Sequence, residues 1–114
     1  MRKYTFDTLK GRLSSGKSVF VEKEEIEGRK KYTIYISFSR ADIAYKEKYS
    51  KETYVLAIKK FDSQNVCPES SDFIINLRFE FNTLEEVLDY LEDHNYIKKS
   101  ELIVSSESKQ NVDR

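Results

Sequence analysis

The segment from Asp72 to Ile97 constrains the chain most, because its hydrophobic period changes once and abruptly. Phe73, Ile75, Leu77, Phe79 and Phe81 are all apolar, while Ile74, Asn76, Arg78 and Glu80 between them are mostly polar. Successive side chains of a strand point to opposite faces, so the pattern predicts a strand with one face in a core. From Leu84 the period lengthens. Leu84, Val87, Leu88 and Leu91 follow the i, i+3, i+4, i+7 spacing of an amphipathic helix, with Glu85, Glu86, Asp89, Glu92 and Asp93 on its other side. Thr83 with Glu86 fits a capping box, and Asn82 with Glu85 fits one register earlier. The acidic first turn suits the positive end of the helix dipole. His94 marks the last turn, and Asn95 can take the left-handed conformation that lets Tyr96 and Ile97 fold back.

The rest of the chain supplies partners for this unit. Phe6, Leu9 and Leu13 predict a short helix capped by Thr5 or Asp7 and stopped at Ser14, Ser15 and Gly16. Val19 to Ile26 reads as a strand, with a turn at Glu27, Gly28 and Arg29. In the next strand, Lys31 to Ser39, Tyr32, Ile34, Ile36 and Phe38 alternate with Thr33, Tyr35, Ser37 and Ser39. Short spacing makes these two strands a hairpin. Arg40 to Glu52 is read as a loop, although ADIAYKEKY within it has the composition either for a helical turn or for an extension of the flanking strands. Thr53 to Phe61 gives a third strand, with Tyr54, Leu56 and Ile58 opposed to Val55, Ala57 and Lys59. A polar loop from Asp62 to Ser71 leads into the fourth strand.

After Ile97, Leu102, Ile103 and Val104 suggest a short edge strand. Residues 105–114 are a polar tail whose deletion is expected to leave the melting temperature nearly unchanged. The expected fold is α+β: a four-stranded antiparallel sheet in a meander, with N- and C-terminal helices packed on one face, forming a single domain over residues 1–104.

At 114 residues, with 39% hydrophobic and 13% aromatic side chains, the chain has the means to build one core. The single Cys67 makes no internal disulfide, and neither a signal-like nor a membrane-length apolar run occurs, so a cytoplasmic protein off the membrane is expected. Net charge is zero, yet residues 29–60 carry nine Lys or Arg against three Asp or Glu, and residues 62–114 carry five against twelve. Two oppositely charged halves are compatible with a homodimer.

No residue pattern points to catalysis, a cofactor or a metal, and a non-enzyme is expected. His94 is the only histidine, and its place near a helix C-terminus explains it without a metal or a triad. Cys67 lacks a neighbouring base that would make it a nucleophile. The acidic run from Glu85 to Asp93 is the solvated face that an amphipathic helix needs. Gly11 and Gly16 do not follow a strand and lack phosphate-loop spacing.

The most suggestive stretch is the middle of the chain, where Tyr32, Tyr35, Tyr45, Tyr49 and Tyr54 are interleaved with lysines and Arg40. Alternation turns Tyr32 and Tyr54 inward. Tyr35, Arg40, Tyr45, Lys46, Lys48, Tyr49 and Lys51 remain as candidate partner-binding residues. Tyrosine and arginine are favoured anchors of protein interfaces, while exposed rings among cations also suit single-stranded nucleic acid. Rich in Lys, Glu, Tyr, Ile and Asn and poor in Gly, Pro and Ala, the chain is similar in style to small proteins of AT-rich Gram-positive bacteria and their phages. That resemblance implies a compact binder that occupies the surface of a protein or nucleoprotein partner, as anti-CRISPR and immunity proteins do. The alternative is a nucleic-acid-binding module using residues 29–60.

Overall fold

The computed structural model describes residues 3–104, so the expectation for the tail at 105–114 lies outside the described residues. The elements run α1 (Phe6–Ser14), β1 (Val19–Glu27), β2 (Lys30–Arg40), α2 (Ala41–Ala44), β3 (Tyr54–Asp62), a 3-10 turn (Ser70–Asp72), β4 (Ile75–Phe81), α3 (Leu84–Asp93) and α4 (Lys99–Leu102). The strands form one antiparallel meander in the order β1-β2-β3-β4, with a tight turn between β1 and β2 and longer loops over 41–53 and 63–74 between the others. At the β1–β2 turn Glu27 faces Lys30, and the positive φ of 64° falls on Gly28, which has no Cβ to resist it.

Alternation divides the sheet into two unlike faces. Val19 and Val21 of β1, Ile34, Ile36 and Phe38 of β2, and Tyr54, Leu56 and Ile58 of β3 are buried together with Leu9, Leu13, Leu84, Val87, Leu88, Leu91, Ile97 and Leu102. The apolar stripes of α1, α3 and α4 therefore cover this face, giving the α+β arrangement read from the sequence. Thr5 caps α1 and accepts from the Thr8 N–H at 3.1 Å. Thr83 caps α3, with the reciprocal bond from its own N–H to Glu86 Oε1 at 3.1 Å, so the later of the two registers is the real one.

The end of α3 is a Schellman motif. The Tyr96 N–H donates to the Leu91 carbonyl at 2.8 Å, the Asn95 N–H donates to that of Glu92 at 3.1 Å, and Asn95 has φ 62°. The turn drives Ile97 into the core. Because a Cβ is penalised in the left-handed region, Asn95→Ala should cost about 1 kcal/mol, whereas Asn95→Gly should be neutral or slightly stabilising. Urea denaturation of both variants checks this, and an equal loss from the two would mean that the Asn95 side chain and not its backbone matters.

Three expectations need correction. Phe73 does not join Ile75, Leu77, Phe79 and Phe81 on the core face. The Ile74 N–H bonds the Lys60 carbonyl at 2.8 Å while Ile75 is the residue in register with Lys60, so two residues face one. Such a bulge reverses the alternation behind it, and Phe73 packs against Phe61 on the other side of the sheet. Within Arg40 to Glu52, Ala41–Ala44 forms the short helix α2, with Ala41 buried. Leu102 to Val104 is not an edge strand. Leu102 ends α4 and is buried, and Ile103 makes a single parallel bridge with Tyr4.

Candidate functional site

The face turned away from the helices carries the features of a binding surface. Phe20, Tyr35, Phe61 and Phe73 cross it in a continuous aromatic row, with successive centroids 5.1, 5.0 and 6.0 Å apart and rings meeting edge to face. Each contact is in the favourable T-shaped range, which fixes the rings before any partner arrives. The row grades outward: Phe61 is buried, Tyr35 and Phe73 are half-buried, and Phe20 is 54% exposed. Lys59, opposite Tyr35 in the register, places its ammonium 5.3 Å from the Phe73 ring centre.

Beyond the row the face is low. Ser37 faces Ala57 and then Arg78, and Ser39 faces Val55 and then Glu80. Small side chains there leave a floor between the aromatic row and the loop 41–53. That loop is fastened to the far side of the floor, where the Tyr49 hydroxyl donates to Glu80 Oε2 at 2.8 Å. Tyr35 and the Glu80 row are four residues apart along the strands, about 13 Å.

The sequence candidates thus separate into three groups. Tyr35 belongs to the aromatic row. Tyr45, Lys46, Lys48, Tyr49 and Lys51 lie on the loop, where Tyr45 is 62% exposed and Lys48 lies 5.9 Å from the Tyr49 ring. Arg40 is taken up inside the fold. Its guanidinium holds both oxygens of Asp42 at 2.9 and 2.7 Å and lies 5.5 Å from the Tyr54 ring, with each partner's side chain only 14% exposed. This guanidinium pulls the Asp42 carboxyl down to about 2, against a burial effect that opposes it. Phe20, Phe61 and Phe73 were not among the sequence candidates. Phe20, flanked by the inward Val19 and Val21, carried a legible signal, since alternation alone sends it to the opposite face.

Part of the basic stretch 29–60 is matched by acids. Lys30 pairs with Asp62 at 3.6 Å and Lys31 with Glu24 at 3.1 Å. Lys60 is held on the helix side of the sheet by Glu25 at 2.6 Å and Glu27 at 2.8 Å, which raise its pKa, and it also lies 4.8 Å from the Tyr32 ring. On the open face the cations Lys31, Lys59 and Arg78 are accompanied by Glu22, Glu24 and Glu80.

Other candidates have structural places. His94 stacks on Tyr90 at 4.0 Å and its Nδ1 meets the Tyr90 carbonyl at 3.0 Å. Cys67 is exposed in its loop. Among the described residues no three His, Cys, Asp or Glu side chains converge as metal ligands, and no helix is long and apolar enough to cross a membrane. No protein-family model, curated protein or solved structure matches the chain.

Proposed function

We propose that the chain is a non-catalytic binding protein that works by occupying the surface of a protein partner, using the open sheet face and the loop 41–53. The observation that carries this reading is the preorganised aromatic row ending in exposed Phe20 on a face of mixed charge. Buried aromatic anchors surrounded by mixed polar groups are how protein interfaces concentrate energy, whereas phosphate binding needs unpaired cations spread along a path. Arg40 and Lys60 are enclosed with their acids and so withdrawn from any phosphate path, and Lys30 and Lys31 share the surface with Asp62 and Glu24. A four-stranded face of about 30 by 15 Å offers on the order of 500 Å². A standard interface takes about 800 Å² from each partner, so the loop bearing Tyr45 and Tyr49 is needed as well.

The test is retention of proteins from nuclease-treated extract by the immobilised chain, compared with Phe20→Ala and Tyr35→Ala. A partner retained by the parent chain should bind each variant at least about fivefold more weakly, the equivalent of 1 kcal/mol, while Lys46→Ala and Lys48→Ala alter mainly the on-rate. Tight binding of a labelled single-stranded oligonucleotide, with affinity falling steeply as salt rises, would instead favour the nucleic-acid reading.

A further inference from the structure

We infer that β4 is an association edge and that its occupant is a second copy of this chain, joined antiparallel about a two-fold axis at Phe79. The two outer strands of the sheet are guarded very differently. On the helix side of β1, Lys23, Glu25 and Glu27 follow Val19 and Val21, so charges face inward along half its length. Inward-pointing charges are a standard protection of an edge strand against pairing. On the same side of β4 every residue is apolar: Ile75, Leu77, Phe79 and Phe81.

That apolar row is also incompletely covered. The corresponding rows of β2 and β3 are buried from Ile34 to Phe38 and from Tyr54 to Ile58, but all four β4 residues are only half-buried. Phe79 and Phe81 share the rim with Tyr90, at 4.8 and 5.8 Å. Among the described residues, β4 has a strand partner only in β3, so its outer backbone groups face no other strand.

The remaining side chains select the occupant. On the open face β4 presents Arg78 and Glu80, which lie 3.6 Å apart in a loose pair with side chains 58% and 47% exposed, so both can be shared with a second copy. In an antiparallel pair of two β4 strands centred on Phe79, Arg78 of each copy lies opposite Glu80 of the other, and Leu77 opposite Phe81. Centring on Arg78 or on Glu80 would instead set like charges face to face, which is unfavourable. The register about Leu77 would set Arg78 opposite Asn76 and leave Glu80 without a cation, so the register about Phe79 is the one that opposes unlike charges on one face and apolar residues on the other, and the product is a continuous eight-stranded sheet.

Sedimentation equilibrium over a range of protein concentrations tests this, with the chain and with Arg78→Glu and Glu80→Arg. Both positions are exposed, Glu80→Arg also gives up the acceptor of the Tyr49 hydroxyl while Arg78→Glu keeps it, and melting curves check that both variants fold. The parent chain should reach a dimer mass as concentration rises, and each reversal should weaken association at least about tenfold. An equimolar mixture of the two variants should recover the dimer, since every opposed pair is then complementary. A monomer at all concentrations overturns the proposal and leaves the edge to a strand of another protein. A dimer indifferent to either reversal overturns it too, by placing the contact elsewhere.

Discussion

Phe38→Ala is expected to remove about 3 to 5 kcal/mol of stability, while Phe20→Ala should remove less than about 1 kcal/mol. The two rings occupy adjacent strands, Val19 being the register partner of Phe38, but they face opposite ways. Phe38 is 1% exposed and lies between Val19 and Leu56 beneath the helices, so its loss leaves a cavity that β2, a strand flanked on both sides, cannot collapse. Phe20 touches Tyr35 on one side only and is already half in water. A domain of this size holds about 5 to 15 kcal/mol in total, so the first substitution brings it close to unfolding at ordinary temperatures. Urea titrations of both variants check the contrast. Equal losses would mean that Phe20 is covered, and that the sheet has no open face.

The second large effect belongs to Asp42. It joins the end of β2 to the start of β3, accepting from Arg40 at 2.9 and 2.7 Å and from the Thr53 N–H at 3.0 Å, and Thr53 is itself buried. Asp42→Ala would leave a largely enclosed guanidinium without its bidentate partner, with only the more distant Glu52 as counter-charge, and a buried N–H without an acceptor, at a cost of about 2 to 4 kcal/mol. The same pair governs part of the acid limb. The Asp42 carboxyl titrates near 2 in the fold against 3.8 as a free side chain, so the native state binds its proton more weakly than the unfolded chain does. Its contribution is complete above pH 3.8 and is lost as pH falls toward 2. The loss is on the order of 2 kcal/mol. Asp42→Asn, which keeps an acceptor for Thr53, should flatten the dependence of stability on pH over that window. An unchanged acid limb would assign it to other carboxylates.

What was legible in the sequence follows the range of the interactions involved. The strands announce themselves through alternation and α3 through its period, its capping box and its Asn95 stop, because each signal is set by neighbours within about four residues. The one-sided α+β sheet follows from them. The alternation misplaces Phe73 because a single extra residue at Ile74 reverses every side chain behind it; an apolar Ile74 in the polar parity is the one local break in the pattern, and it does not by itself distinguish a bulge from a partly apolar outer face. Lys60 continues the inward alternation of Ile58, so its burial is locally readable, but its two glutamate partners come from the far end of β1. Arg40 looked like an anchor because it was counted with the exposed cations of the loop. Its bidentate partner was two residues away, in a helical turn the composition permitted but did not require. The aromatic row was half visible. Tyr35 and Phe20 are on the outward parity of their strands, yet only the register brings Phe61 between Tyr35 and Phe73.

The direct measurement is thiol reactivity along β2. With Cys67→Ser removing the only native cysteine, single cysteines at Ile34, Ile36, Tyr35, Ser37 and Ser39 are exposed in turn to a maleimide under native conditions. A thiol in water reacts freely, whereas an enclosed one must wait for the fold to open, an event rarer by several orders of magnitude. The one-sided sheet predicts slow labelling at 34 and 36, fast labelling at 37 and 39, and an intermediate rate at 35, where the flanking rings remain. Slow labelling at all five positions would contradict it, because the face assigned to the partner would then be covered in the free protein.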